Sequence, residues 1–276
     1  MANVLITGCS SGFGKLAALH FARKGDTVIA TMRDTKKGAE LEGTAADEKL
    51  ALSLGQMDIL DDASVTRAVA DATRIGPIDV LVNNAGMELR SSIEDANDAE
   101  VRRQFDTNVF GTLRVIRAVV PHMRAQNRGA IINLSSVAGV VGPPYSGLYA
   151  ATKHAIEGFS EALHFELQAW NIRVSLIEPG LFETNFGSNI RMAAAWNESS
   201  PYWERFQKFM TARAKLAPEP QDNRIVAKAI FDAAYSEKPQ FRRPAGTDAA
   251  LVTGAHKSLD FESYENAMRQ TLDWWE

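Results

Sequence analysis

Short apolar, β-branched runs alternate with longer helical patterns along most of this chain, and this alternation constrains its fold more than any other feature. The runs predict seven strands, at residues 4–7, 27–32, 50–57, 79–83, 130–135, 173–178 and, more weakly, 240–243. Helical patterns fall between them, at about 12–24, 62–75, 98–126, 149–170 and 222–235. Strands that are apolar on both faces and separated by helices indicate a parallel sheet covered on both sides.

Right-handed crossovers between such strands produce a doubly wound sheet. No internal repeat or linker divides the chain, so we predict one α/β domain over residues 1–276. Residues 185–221 depart from the alternation and carry several large apolar side chains, at Met192, Trp196, Tyr202, Trp203, Phe206 and Phe209. A long ordered insertion of this kind is interpreted as a lid over a substrate site.

Composition argues against several classes of partner. The net charge is only −4, whereas a nucleic-acid surface needs a clustered basic excess. No run approaches the roughly 20 apolar residues of a membrane helix, and the N-terminus does not resemble a signal peptide. Cys9 is the only cysteine, which excludes an intrachain disulfide and a cysteine-based metal site. We therefore expect a cytoplasmic protein without a metal, a membrane partner or a nucleic-acid partner.

A glycine-rich turn follows the first strand and opens the first helix. Glycines allow a tight turn there, and backbone N–H groups at a helix N-terminus can bind a pyrophosphate. A glycine-rich turn alone is also compatible with a simple tight turn, but its position after the first strand favours phosphate binding. The candidate phosphate-binding residues are Gly8, Ser10, Ser11, Gly12, Phe13 and Gly14.

The same turn spells G-x-S-x-G, the nucleophile elbow of α/β-hydrolases, with Ser10 as the nucleophile. A hydrolase would need an earlier strand and loop to supply an oxyanion donor, and too few residues precede Gly8. It would also need a histidine at a strand end. The histidines instead fall within helical patterns or in the C-terminal region, at His20, His122, His154, His164 and His256. The hydrolase interpretation is the lesser alternative.

Tyr149 and Lys153 lie four positions apart, which places a phenol and an ammonium on one face of a helix. This pair alone is equally typical of an ordinary surface helix. However, Ser136 ends the preceding predicted strand, and Asn84-Ala85-Gly86 follows an earlier one, so polar groups gather at one sheet edge. Asn108 lies within a helical pattern, where asparagine is unfavourable unless its side chain has a partner.

Together these motifs resemble the short-chain dehydrogenase/reductase family. The glycine pattern, the Asn-Asn-Ala-Gly run, Ser136, Tyr-x-x-x-Lys and Pro179-Gly180 with Thr184 stand in the family's order and spacing, over about two thirds of the chain. Residues 7–12 and 30–34 are most similar to the branch of 17β-hydroxysteroid and retinol dehydrogenases. The resemblance implies a single Rossmann domain that binds a nicotinamide dinucleotide.

The resemblance also implies the chemistry. Tyr149 would exchange a proton with the oxygen of an alcohol or carbonyl, and Lys153 would lower its pKa, since nearby positive charge stabilises a phenolate. Ser136 would hold the substrate oxygen, and Asn108 would hold a water that links Lys153 to solvent. Besides the glycine turn, the cofactor-binding residues implied are Asp58, Ile59, Asn84, Ala85, Gly86, Tyr149, Lys153, Pro179, Gly180, Phe182 and Thr184.

The end of the second strand indicates which dinucleotide is preferred. NAD enzymes of this fold usually place an acid there to bind the ribose 2′-hydroxyl. Here Arg33 follows Met32, and a guanidinium can pair with a 2′-phosphate. Asp34 is the competing candidate for an acid that binds the ribose 2′-hydroxyl, but it also fits a helix cap. Ser11 and Lys15 would add polar contacts near a 2′-phosphate. We therefore expect NADP(H) to be preferred, with NAD(H) possible.

Mostly apolar residues are expected around the substrate, at Met87, Val140 and Tyr145 beside Ser136 and Tyr149, together with the lid aromatics. They favour a bulky alcohol or carbonyl compound. The lid aromatics could alternatively pack the lid onto the domain, and Glu88 with Arg90 leaves a polar contact possible. A dinucleotide-binding sensor without chemistry is the alternative function, although Ser136, Tyr149 and Lys153 are all retained.

The resemblance further implies a homodimer or homotetramer, assembled through the helices at 98–126 and 149–170. These helices carry apolar residues on more than one face, at Val109, Leu113, Ile116, Phe159, Leu163 and Leu167. The same residues could instead serve only to cover the sheet.

Overall fold

The computed structural model describes residues 1–182, 189–217 and 219–273. Its strands are β1 (Asn3–Thr7), β2 (Thr27–Met32), β3 (Leu52–Gln56), β4 (Val80–Asn83), β5 (Glu88–Arg90), β6 (Gly129–Leu134), β7 (Ile172–Pro179), β8 (Ile190–Met192) and β9 (Arg242–Ala245). Its α-helices are α1 (Gly12–Arg23), α2 (Ala39–Asp47), α3 (Asp62–Ile75), α4 (Asp98–Phe105), α5 (Gly111–Gln126), α6 (Gly147–Leu167), α7 (Trp203–Arg213), α8 (Arg224–Tyr235), α9 (Thr247–Ser258) and α10 (Phe261–Leu272).

Seven parallel strands form the main sheet in the order β3-β2-β1-β4-β6-β7-β9. These are the seven strands predicted from the apolar runs, so the single doubly wound domain is confirmed. The chain moves outward from β1 to β3 and then returns to place β4 on the other side of β1. Ligands of open parallel sheets bind at such a reversal, outside the carboxyl ends of the strands.

The sheet is buried on both faces, as its apolar runs require. One core cluster joins α1 and α8 to one face and includes Phe21 and Ile230. The other joins α3 and α5 to the opposite face and includes Val69 and Val115. This burial on both sides makes the sheet a rigid platform for the loops at its carboxyl edge.

The predicted helix at 98–126 is interrupted at its centre. A π-helical turn, Asp106–Phe110, separates α4 from α5, and it contains Asn108. The Asn97 and Glu100 side chains form a reciprocal capping box at the start of α4. Helices α2, α7, α9 and α10 were not among the predicted helices.

Residues 189–217 contain β8 and α7 and pair with the rest of the molecule through a small parallel sheet of β5 and β8. Trp196, Phe206 and Phe209 are buried, with ring centroids 5.4, 5.5 and 5.8 Å from that of Tyr145. Aromatic rings at these separations pack favourably. These three lid aromatics therefore anchor the predicted lid segment to the domain, and none of the three is among the described residues that line the cavity at the carboxyl edge of the sheet. Within the described ranges, no helix is long and apolar enough to span a bilayer.

Candidate active site

A cavity of about 470 Å³ lies at the carboxyl edge of the sheet, on both sides of the reversal between β1 and β4. Because the strands are parallel, the loops after β1, β2, β3, β4, β6 and β7 all meet there. Most of the residues predicted for the site line this cavity: Gly8, Ser10, Ser11, Gly12, Phe13, Arg33, Asp58, Ile59, Asn84, Ala85, Gly86, Met87, Ser136, Tyr149, Lys153, Pro179, Gly180 and Phe182.

Four predicted site residues do not line the described part of the cavity: Gly14, Asn108, Val140 and Tyr145. Gly14 and Asn108 lie behind its wall and support it. Tyr145 is turned into the aromatic cluster of the lid segment, and its backbone is left-handed, with φ 63°. The prediction that Val140 and Tyr145 contact the substrate therefore has no support from their positions. Thr184 lies outside the described residues.

The glycine turn is shaped by close contact with the loop after β4. Gly8 has φ 74°, and a Cβ there would lie 2.8 Å from Ala85 Cα. The Asn84 side chain donates hydrogen bonds to the carbonyl oxygens of Thr7, at 2.8 Å, and Gly8, at 3.1 Å. Ser11, the N-cap of α1, makes no capping side-chain hydrogen bond among the described residues. The first N–H groups of α1 thus face the cavity and fit a dinucleotide pyrophosphate.

Gly14 has no room for a side chain, because a Cβ would lie 2.5 Å from Gly8 O and still closer to Asn84 Nδ2. We expect Gly14→Ala to destabilise the fold by about 1–3 kcal/mol through overpacking and to weaken dinucleotide binding. Thermal unfolding and cofactor titration check this. The matched control is Gly43→Ala in α2, where a Cβ meets nothing within 4 Å, and helix propensity predicts a gain of up to ~1 kcal/mol. Equal effects of the two changes would contradict this explanation.

Tyr149, Lys153 and Ser136 converge at the centre of the cavity. Tyr149 and Lys153 lie in the first turns of α6, with Lys153 Nζ 5.5 Å from the centroid of the Tyr149 ring. Lys153 Nζ donates a hydrogen bond to Leu134 O at 2.6 Å, at the end of β6. Ser136 follows β6, and its Oγ accepts the Ala138 N–H at 3.1 Å and donates to Pro179 O at 3.5 Å. The same side chain lies beside the Tyr149 phenol and lowers its pKa by hydrogen bonding. A substrate oxygen placed beside Tyr149 would therefore also reach Ser136.

The pKa values of Tyr149 and Lys153 are shifted in opposite directions. Burial raises the pKa of Tyr149 and the charge of Glu88 raises it further, whereas the hydrogen bond from Ser136 and the charge of Arg213 lower it. Burial lowers the pKa of Lys153 to about 8, against an opposing effect of Glu157. The phenol is thus held protonated, and the ammonium loses its proton close to physiological pH. Such a pair is typical of an acid–base site.

The Asn108 side chain makes three hydrogen bonds that the sequence did not predict. Its Oδ1 accepts the Met87 N–H at 2.9 Å, and its Nδ2 donates to Met87 O at 2.9 Å and to Thr152 Oγ1 at 3.0 Å. These bonds fasten the loop after β4 to α6. The implied role of Asn108 as the holder of a water near Lys153 stays a prediction.

The far end of the cavity is formed by Arg33 and Asp58. Arg33 is exposed, and its guanidinium has no hydrogen bond or ion pair with any described residue. Asp34 Oδ1 accepts the Lys36 N–H at 3.1 Å and caps a short 3₁₀ turn, which is the alternative interpretation of this residue. Lys15 pairs with Glu40 at 2.5 Å and does not line the cavity, contrary to the contact expected of it.

At the substrate end, the sequence indicated Glu88 only as a possible polar contact and did not suggest Arg213. The Glu88 side chain, on β5, is buried and pairs with Arg90 at 3.0 Å and with Ser146 Oγ at 2.8 Å. Arg213, the last residue of α7, also lines the cavity. Glu88 and Arg90 follow Met87 directly and were noted as a possible polar contact. No local pattern distinguishes Arg213 from the other arginines of its segment.

Asp248 is a further residue that the sequence did not suggest. Its carboxylate accepts the Leu181 N–H and a Gln221 Nε2–H, each at 2.7 Å, and it fills the space where Gly180 has no side chain. On the cavity side, Phe182 packs edge-on against Phe13, with centroids 5.5 Å apart. The start of α9 therefore holds the loop after β7 in its place beside the glycine turn.

A dinucleotide-binding sheet edge that presents Ser136, Tyr149 and Lys153 together defines an oxidoreductase site. The short chain dehydrogenase family model matches residues 2–195. The chain is 36% identical over 256 residues to 3-ketodihydrosphingosine reductase of Bacteroides thetaiotaomicron, covering 92% of this chain and 91% of the relative. It is 38% identical over 254 residues to retinol dehydrogenase 8 of Homo sapiens, covering 87% and 80%. The protein belongs to the short-chain dehydrogenase/reductase family.

Solved structures agree with this assignment. A short-chain dehydrogenase from Streptomyces avermitilis matches with a TM-score of 0.83 and 32% identity, over 98% of this chain and 100% of that one. ElxO, solved with NADP bound, matches with a TM-score of 0.74 and 26% identity, over 88% and 96%. The protein is therefore an oxidoreductase of a family that acts on CH–OH and C=O groups with a nicotinamide dinucleotide.

Proposed function

We propose that this protein is an NADP(H)-dependent reductase or dehydrogenase that interconverts an alcohol and a ketone or aldehyde, with Tyr149 as its general acid and base. The observation that carries this proposal is the convergence of Tyr149, Ser136 and Lys153 at the centre of one cavity. Their other neighbours there are the glycine turn and the loop after β7, which together fit a dinucleotide.

In reduction, the Tyr149 hydroxyl donates a proton to the carbonyl oxygen, and Ser136 orients that oxygen by a hydrogen bond. Lys153 supplies positive charge, and its pKa of about 8 allows it to return a proton to Tyr149 near neutral pH. Its hydrogen bond to Leu134 O holds the ammonium in position. The bound nicotinamide supplies or accepts the hydride. Oxidation uses the same groups in reverse.

The preference for NADP(H) is supported by the end of β2. Arg33 lines the cavity with its donors unoccupied by described residues, whereas the Asp34 carboxylate is engaged as a cap. Asp58, which also lines this end, would hold the adenine amino group, although its Oδ1 also accepts the Leu60 N–H at 3.1 Å. The relative ElxO binds NADP.

The substrate is proposed to be a bulky compound with a mainly apolar body. Met87, Leu181 and Ile190 line the cavity near the catalytic groups. The names of two relatives, a retinol dehydrogenase and a 3-ketodihydrosphingosine reductase, also indicate large substrates. A panel of ketones, aldehydes and alcohols, screened with both dinucleotides by absorbance of the reduced nicotinamide, tests the proposed function. Failure of every carbonyl compound with both dinucleotides would overturn it.

The alternatives have less support. A sensor without chemistry does not explain why the three catalytic groups are assembled beside the cofactor cavity. A hydrolase using Ser10 would need a histidine beside it, and no histidine is among the described residues that line the cavity. A cytoplasmic location remains a prediction.

A homodimer or homotetramer, assembled through the helices at 98–126 and 149–170, is also proposed. Ile116 and Leu167 are buried in the core, and Phe159 and Leu163 pack against it, so they cover the sheet. Phe165, on the outer face of α6, has an exposed fraction of 66%. We expect light scattering to give a multiple of the 30.2 kDa chain mass, and Phe165→Glu to reduce it. Phe261→Glu on α10 is the control, and a wild-type monomer at micromolar concentration would contradict the proposal.

A further inference from the structure

Arg213 is a cationic side chain at the substrate end of the cavity. It ends α7, lines the cavity and interacts electrostatically with Tyr149, the proposed acid–base group. Its side chain is half-buried, and this partial burial lowers the pKa of its guanidinium. A group of opposite charge placed in the cavity beside this half-buried guanidinium would be favourable.

Within the described ranges, Arg213 has no ion pair within 4 Å and its guanidinium forms no hydrogen bond. The carboxylates of Glu88 and Asp248 interact with it only at longer range. Both are already engaged, Glu88 with Arg90 and Ser146, and Asp248 with Leu181 and Gln221. The five N–H donors of Arg213 are thus available to a ligand in the cavity.

A guanidinium is planar and presents pairs of donors that match the two oxygens of a carboxylate. We infer that the substrate carries a carboxylate on the same molecule as its reacting carbonyl or alcohol, and that Arg213 binds this carboxylate while Tyr149 and Ser136 hold the reacting oxygen. This inference rests on the proposed function and deepens it. It assigns the enzyme an apolar oxo acid or hydroxy acid as substrate, in place of a neutral or amine-bearing lipid.

Binding is tested without turnover. Phenylbutyrate and its neutral amide are titrated calorimetrically into the enzyme saturated with NADP⁺. We expect wild type to bind the acid at least about ten-fold more tightly than the amide, the scale of a hydrogen bond to a charged group. Arg213→Met should abolish this preference, and Arg213→Lys should keep part of it. Arg205→Met is the matched control, because Arg205 lies on the same helix, is exposed and does not line the cavity.

Three results would overturn the inference. The first is equal affinity for acid and amide, or no binding of the acid, in wild type. The second is a preference for the acid that survives in Arg213→Met. The third is a loss of NADP⁺ affinity in Arg213→Met that is as large as its loss of affinity for the acid. This result would assign Arg213 to the cofactor. An unchanged melting temperature shows that the variant is folded.

Turnover separates this inference from the proposed function. Benzoylformate and benzoylpropionate are compared with their methyl esters, and we expect kcat/KM to favour the acids in wild type but not in Arg213→Met. Reduction of the esters in preference to the acids would overturn the carboxylate inference and leave the proposed reductase intact. If no carbonyl compound is reduced, the proposed function fails, while the calorimetric comparison still decides whether Arg213 binds a carboxylate.

Discussion

Tyr149→Phe should lower kcat by at least about 100-fold in both directions of the reaction, the usual scale for loss of a positioned acid–base group. The substitution removes one oxygen atom and keeps the ring. In the proposed mechanism the phenol delivers the proton to the substrate oxygen, and the Ser136 hydroxyl, a much weaker acid, only hydrogen-bonds that oxygen. Steady-state kinetics with the best substrate of the screening panel measure the effect.

The affinity of the Tyr149→Phe variant for NADP(H) should stay within a few-fold of wild type, since the phosphate and ribose contacts lie elsewhere in the cavity. The matched control is Tyr145→Phe, because the Tyr145 ring packs against Trp196 and does not line the described cavity. Its kcat should be nearly unchanged. Near-normal turnover in Tyr149→Phe would refute the proposed mechanism even if the family assignment stands.

Arg33→Ala should weaken NADP(H) binding by about ten- to a hundred-fold, because a hydrogen bond to a charged group contributes roughly 1.5–3 kcal/mol. The affinity for NAD(H) should change little, since its ribose offers Arg33 no phosphate. Titration of both dinucleotides against wild type and the variant, at one ionic strength, gives the two ratios.

Lys37→Ala is the control for the loss of charge, since Lys37 is an exposed neighbour that does not line the cavity. Its effect on both dinucleotides should be small. If Arg33→Ala weakened both equally, or if wild type preferred NAD(H), Asp34 rather than Arg33 would be the ribose-binding residue. Its carboxylate would then have to leave the Lys36 N–H that it now caps.

Much of the fold was predictable because buried parallel strands can be recognised from the amino-acid sequence. Each strand of the main sheet is a short apolar run, and the polar residues that follow it reach the same edge. Asn84, Ser136 and Arg33 were placed at the site by this rule together with the resemblance to the family. Helix α2 was missed because its sequence, AELEGTAAD, has only Leu41 and Ala45 buried and so presents almost no apolar stripe.

Other parts of the site depend on contacts between residues far apart in the chain. Asn108 hydrogen-bonds with Met87, which lies 21 positions away in the sequence. The π-helical turn that orients Asn108 toward Met87 could not be predicted from the sequence. Asp248 accepts the Leu181 N–H across 67 positions. A local pattern cannot predict such pairs, because they form only when the sheet has brought both elements to its carboxyl edge.

The sequence by itself determined the parallel sheet and the glycine turn, since periodicity and spacing encode these locally, and its resemblance to the family supplied the proposed catalytic groups. Only the tertiary structure decided what surrounds the substrate. The orientation of α7 follows from the packing of Trp196, Phe206 and Phe209 around Tyr145, and that packing turns Arg213 into the cavity while Arg205 on the same helix stays exposed. Packing against a distant element sets which face of a helix is inward, and this choice fixes the chemistry of the substrate end.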